Sequence, residues 1–290
     1  MYRLKMMSRR SLLRGSAAAA VVWPGLKTHA ARGAGGGGAD SWRGLKVGVA
    51  SYTFRKLPLE ATIRGIQRVG LRYVSIKDFH LPRKSSAEER RAVAQKFKDA
   101  GITPLSCGNI SMENDEASVR DAMEYARDAG IPTIVCSPHP DSMPILDKMV
   151  KEFDIKLAIH NHGPEDKRFP SPYDVWQAIQ PFDKRIGLCI DVGHTAKAGV
   201  DPAESILKCS ARLYDVHLKD NNIKGPKAVP IEVGRGVLDL RSVMRALLEI
   251  KFPYLAGFEY EKDADDVLPG LAESVGYIRG ILAGLDAHAG

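Results

Sequence analysis

Cysteine is scarce in this chain of 290 residues, and Cys107, Cys136, Cys189 and Cys209 show no close pairing of the kind that marks a zinc ribbon or a redox motif. The first three sit inside apolar runs, so buried free thiols are expected rather than a disulfide framework. No apolar run is long enough to span a bilayer. A basic surface is missing too. The chain carries 42 Lys and Arg against 35 Asp and Glu, but residues 1–40 hold seven of the basic groups and only Asp40 as an acid, which leaves 35 against 34 beyond them. A nucleic-acid-binding face shows as a basic excess, so nucleic acid is not an expected partner. Nor does a glycine-rich phosphate loop follow the first apolar run, which reads Val49-Ala50-Ser51-Tyr52-Thr53-Phe54. Its absence argues against an open, doubly wound sheet.

The first forty residues stand apart. Ser8-Arg9-Arg10-Ser11-Leu12-Leu13-Arg14-Gly15 is followed by small and apolar residues from Ser16 to Trp23, then by the small-x-small triplet Thr28-His29-Ala30. The segment resembles a twin-arginine export signal, which implies an exported, periplasmic protein with no membrane span once the signal is removed. Gly35 to Gly38 reads as a flexible linker. Residues 1–40 are therefore expected to be a disordered signal and linker, and residues 41–290 a single domain.

Within that domain eight short apolar runs read as strands: Leu45–Ala50, Tyr73–Lys77, Thr103–Cys107, Thr133–Cys136, Lys156–His160, Ile186–Asp191, Leu213–Leu218 and Leu255–Glu259. Each is bounded by Gly, Pro or charge, as strands buried on both faces are. Helical patterns alternate with them over Leu59–Val69, Asp174–Ile179, Pro202–Leu213, Leu240–Ile250 and Leu268–Leu285. Ser85 to Glu89 has the hydroxyls and acids of a helix start, and Gly101 and Gly130 are helix stops. Eight strand-helix units predict an α/β fold, a single (β/α)8 TIM barrel.

Chemistry gathers at the strand ends. Residues two apart on a strand share a face, so His160 with His162 and Glu259 with Glu261 can each point inward, while Asp191 and His194 straddle a strand end. With His217, these give three or four N/O donors suited to Zn, Mn, Co or Mg. Taken singly, each has a plainer use: Asp191 can cap a turn, Glu259 can pair with Lys219, and a lone His can be hydrogen-bonded structure. Convergence on one end of consecutive strands favours a divalent metal site. Lys77 and His80 after the second strand, His139 after the fourth and Arg235 between two glycines are candidate substrate-binding residues.

Cys189-Ile190-Asp191-Val192-Gly193-His194-Thr195, Val216-His217-Leu218-Lys219-Asp220, Glu232-Val233-Gly234-Arg235-Gly236 and Gly257-Phe258-Glu259-Tyr260-Glu261 resemble the sugar phosphate isomerase/epimerase group of xylose isomerase-like TIM barrels, over roughly residues 45–285. The resemblance implies metal ligands at Asp191, His217 and Glu259, and a substrate contact at Arg235. The fifth-strand ligand of that group is usually Glu, and here His160 stands in its place. This departs from a two-glutamate epimerase and favours a reaction with one general base, either isomerisation of a sugar or elimination from a keto-sugar or inosose. His162 or Glu261 is then the expected proton acceptor, with His194 and Lys219 orienting or donating. The expected partner is a small carbohydrate, and homo-oligomerisation stays open. Two further readings stand beside this one: a sugar-binding barrel without chemistry, and an endonuclease IV-like enzyme drawing on His80 and His139 for further metals.

Overall fold

In the computed structural model residues 40–285 are described, and eight parallel strands close into a barrel. They are β1 (Lys46–Ala50), β2 (Tyr73–Ile76), β3 (Thr103–Met112), β4 (Thr133–Pro138), β5 (Lys156–His160), β6 (Ile186–Asp191), β7 (Leu213–Leu218) and, after a two-residue ribbon of β8 (Asp220–Asn221) with β9 (Pro230–Ile231), β10 (Leu255–Phe258). The order around the barrel is β1-β10-β7-β6-β5-β4-β3-β2, so neighbours in sequence are neighbours in space. The paired-arginine segment and glycine linker lie outside the described residues. No helix among the described residues is long and apolar enough to cross a membrane.

Helix ends follow the local chemistry. Ser86 caps the helix Ala87–Asp99 by accepting from the Glu89 amide, and Glu89 returns a bond to the Ser86 amide. Gly130, in the left-handed region at φ 66°, closes the helix Glu116–Ala129. The expected helix Pro202–Leu213 is shorter than its pattern: it runs Pro202–Lys208, and a 3-10 turn Ser210–Arg212 follows. Arg212 is used there to donate to the carbonyls of Ile179 and Phe182, which fastens the turn to the preceding unit.

The core has two parts. A large cluster fills the space between strands and helices, and a small one of Val135, Ala158, Cys189 and Tyr214 lies on the faces that the strands turn the other way. All four cysteines are free and buried, as their apolar surroundings predict. Small residues let the strands close around this interior. A Cβ on Gly48 would meet the Tyr73 carbonyl oxygen at 2.3 Å, a backbone atom that cannot step aside. Gly48→Ala is expected to cost about 3 kcal/mol in chemical denaturation. Gly276→Ala, in an exposed helical position with nothing within 4 Å of the added Cβ, should instead stabilise by about 0.5–1 kcal/mol.

Candidate metal centre

The ends of β5, β6, β7 and β10 bring His160, Asp191, His217 and Glu259 together, all four buried. Alternation along each strand turns them to the barrel interior with Ala158, Cys189, Asp215 and Gly257 one step below. Four donor atoms converge. His160 Nε2 lies 3.1 Å from His217 Nδ1 and 3.5 Å from Asp191 Oδ2, and His217 Nδ1 lies 3.6 Å from Asp191 Oδ2 and 3.2 Å from Glu259 Oε2. An ion bound tetrahedrally by four ligands at about 2.0–2.2 Å needs donors roughly 3.3–3.6 Å apart. The set therefore fits a divalent ion. Asp191 Oδ2 is buried and faces the Lys219 ammonium and both imidazoles, a carboxylate oxygen turned toward positive charge.

Local structure explains why Asp191 presents that oxygen. Its Oδ1 accepts from the His194 amide at 2.9 Å, capping the helix Val192–Lys197, so the carboxylate is pinned by one oxygen and turns the other toward the donor set. Asn161 accepts from the Asp191 amide and donates to Thr195 Oγ1, and Thr195 Oγ1 donates to the Asp191 carbonyl. These bonds clamp the β6 end to the β5 end.

Two lysines compensate the carboxylates. Lys219 Nζ lies 3.0 Å from Asp191 Oδ2 and 2.9 Å from Glu259 Oε2 and also pairs with Glu261. Lys77 Nζ takes the other Glu259 oxygen at 3.0 Å. Burial alone would strip the charge from Lys219, but Asp191, Glu259 and Glu261 outweigh it and hold its pKa well above the usual range. Burial likewise opposes ionisation of Glu259, and His217, Lys219 and Lys77 reverse that, keeping it a carboxylate. Burial holds His160 and His194 below the ordinary imidazole range, so both are neutral. Burial opposes charge on His217, but Cys189, Glu259 and Asp191 outweigh it and hold the imidazole well above its ordinary range. Before any metal enters, three carboxylates therefore face two ammonium groups and an imidazolium, and a divalent ion would take the place of the His217 proton.

A cavity of about 360 Å³ opens above the donors and is lined by His162, His194, Lys219, Glu261 and Lys77, with Tyr52, Phe79, Asp78 and Asn109 at its sides. His162 and His194 have ring centres 4.9 Å apart. Three candidates are placed elsewhere. His80 is buried against Ser51 Oγ, Thr62 Oγ1 and the Leu57 carbonyl, which use both ring nitrogens. His139 accepts from the Asp141 amide and starts a 3-10 turn. Arg235 faces outward with its side chain 58% exposed and makes a two-point pair with Glu273. The glycines beside Arg235 serve Asp220, not a ligand: its carboxylate accepts from the amides of Gly234, Gly236, Leu238 and Asn221. A Cβ on Gly236 would lie 2.1 Å from Asp220 Oδ1.

Sequence reasoning passed over Asn161 and Asp215. Asp215 lies two residues before His217 on the same strand face, a signal that was present, with Oδ1 3.9 Å from His217 Nε2. Burial pushes its carboxyl up to about 6. Cys189 also lies within reach of the two imidazoles, but burial pushes its thiol up to about 12, a poorer donor than two ionised carboxylates.

Metal analysis of the full chain is expected to find a single divalent ion, and Asp191→Asn or His160→Ala to abolish its retention on dialysis. Asp215→Asn should weaken metal affinity by about 10- to 100-fold through loosened His217, with an unchanged circular dichroism spectrum. Full retention by Asp191→Asn would exclude the four-donor centre.

Comparison with solved structures returns the same barrel. A protein of Parabacteroides distasonis is 24% identical, with a TM-score of 0.65 over 82% of this chain and 99% of its own. The E. coli 3-keto-D-glucoside 4-epimerase YcjR is 16% identical with a TM-score of 0.67, over 81% and 99%. The IolI protein with a bound zinc atom is 16% identical with a TM-score of 0.69, over 82% and 98%. At these identities the likeness is one of fold. Curated protein sequences give no match. The family pattern described as xylose isomerase-like TIM barrel matches residues 63–281, three quarters of the sequence, and the chain belongs to that family.

Proposed function

We propose that this protein is a divalent-metal-dependent carbohydrate isomerase or lyase that removes a proton beside a carbonyl of a sugar, keto-sugar or inosose. The observation that carries the reading is the convergence of His160 Nε2, Asp191 Oδ2, His217 Nδ1 and Glu259 Oε2 beneath a polar cavity at the barrel mouth. A divalent ion held there supplies Lewis acidity toward a carbonyl oxygen. Solved relatives by fold include enzymes named as epimerases of a keto-glucoside and of L-ribulose, which agrees with carbohydrate as the substrate class.

The chain's own residues divide the remaining work. Glu259 is engaged by Lys77 on one oxygen and by Lys219 and His217 on the other, which suits a ligand and not a base. Proton abstraction falls to groups outside the donor set, Glu261 or His162. Glu261 is fixed by Lys219 at its carboxylate and by Arg55, which donates to its carbonyl at 2.6 Å. Lys219 stays an ammonium facing Asp191, Glu259 and Glu261, and its charge favours an oxygen beside it that gains negative charge as the carbon loses its proton. Neutral His194 orients the substrate beside it. His160 replaces the second carboxylate that a two-base epimerisation needs, so the proposal is a one-base reaction.

Among the described residues neither His80 nor His139 joins a metal-capable group, which leaves the endonuclease-like reading without support for its additional ligands. The metal-loaded protein, incubated with ketoses, keto-glycosides and inososes in deuterium oxide, is expected to give one product class with deuterium at the carbon next to the carbonyl. Glu261→Gln should retain metal and lower kcat by about 10²–10⁴-fold, the share of one general base. Metal retained without exchange into any substrate would overturn the enzyme reading.

The proposal includes export to the periplasm, supported by the paired Arg9 and Arg10 ahead of an apolar run. Replacing both with Lys is expected to shift the protein from the periplasmic to the cytoplasmic fraction. Unchanged fractionation would remove this part of the proposal alone.

A further inference from the structure

The cavity above the metal centre adjoins a second and larger one of about 840 Å³, and the two share Asp78 and Asn109 in their walls. Each lies within the range of small-molecule sites, about 300–1,000 Å³. The metal centre and its proton-transfer groups account for the smaller cavity only. Nothing in the one-base reaction uses the larger.

Its wall is built rather than incidental. Arg83 and Arg90 flank the Tyr125 ring with guanidinium carbons 5.0 Å and 5.2 Å from its centre, and Tyr125 donates its hydroxyl to the Leu81 carbonyl at 2.7 Å. Arg90 binds Asp128 at 3.1 Å and donates to the Arg83 carbonyl at 2.8 Å. Arg83 pairs with Asp121 through Nη2, yet its Nε and Nη1 are buried without a hydrogen-bond partner. A buried donor left without an acceptor is costly, and a molecule entering the cavity with oxygen atoms would relieve that cost. At the junction, Asn109 is held by both of its amide atoms to Ser137 Oγ, at 2.7 Å and 3.0 Å.

Charge selects the kind of oxygen. The lining carries Arg83, Lys84 and Arg90 against Asp78 and Asp121, and Asp128 outside the lining takes Arg90, so the charge facing the cavity is close to balanced and gives little pull on a carboxylate or phosphate. Guanidinium donors beside carboxylate acceptors match hydroxyl groups, each of which donates once and accepts twice. We propose that this flanking cavity is a second sugar subsite, and that the substrate of the metal centre is a disaccharide or other glycoside whose second unit lies against Arg83 and Asp121. The inference rests on the carbohydrate reading of the metal site.

Isothermal titration calorimetry on the manganese-loaded full chain tests it, comparing D-fructose with isomaltulose, turanose and lactulose, and D-glucose with cellobiose and maltose. The expected result is at least one disaccharide that binds about tenfold or more tightly than its monosaccharide, the worth of one or two added hydrogen bonds. Arg83→Gln and Asp121→Asn, both outside the metal-side cavity, should each remove most of that preference, with monosaccharide affinity, metal content and thermal midpoint unchanged. Equal affinities within every pair overturn the second subsite and leave the carbohydrate reading standing. A preference that survives both substitutions also overturns it. Binding by none of the sugars overturns the second subsite, and the deuterium-exchange experiment with keto-glycosides and inososes then decides the carbohydrate reading separately.

Discussion

Buried charge at the mouth of the barrel is the constraint on which the rest depends. Asp191 and Glu259 are removed from water, and a carboxylate there is tolerable only if cations and hydrogen bonds replace the solvent. Lys219 and Lys77 supply the compensation, and each comes from a strand end adjacent to the carboxylates that it serves. Closure of the barrel is what makes this possible. Lys77 follows β2 and Glu259 follows β10, the strands on either side of β1, which closure brings within reach of each other.

The plain and the functional uses of a residue turn out not to compete. Asp191 caps a helix with Oδ1 and offers Oδ2 to the donor set, so the cap fixes the rotamer that the metal site requires. Glu259 pairs with Lys219 and is also a donor. A buried carboxylate has lone pairs enough for both, and the structural bond is what gives the ligand its direction.

Strands were the most legible part of the sequence. Lys156–His160, Ile186–Asp191 and Leu213–Leu218 have the expected bounds because each is an apolar run ended by an abrupt polar residue. The third strand continues to Met112, beyond Cys107, since pairing with β4 carries through polar residues that hydropathy does not mark as strand. Site residues on strand ends were legible for the same reason: alternation fixes the direction of His160, His217 and Glu259. Direction on a loop is not fixed by spacing. His80 turned into the protein, His139 onto its own turn and Arg235 out to Glu273, although all three follow strands at the catalytic end. The Gly-Arg-Gly pattern carried a real constraint, but its cause was the four amides gathered by Asp220.

His160 changes more than the number of bases. With a divalent ion bound and His217 a neutral ligand, Lys77, Lys219 and the ion would outweigh Asp191, Glu259 and Glu261 by one positive charge. A Glu in place of His160 would cancel that excess. A reaction that develops an enolate oxygen gains from fixed positive charge held in a buried site, where its effect is much larger than in water. Exchanging a charged ligand for a neutral imidazole therefore removes a proton acceptor and at the same time strengthens the stabilisation of the anion that a single base produces. Under the proposed function the two consequences favour the same chemistry, removal of one proton beside a carbonyl.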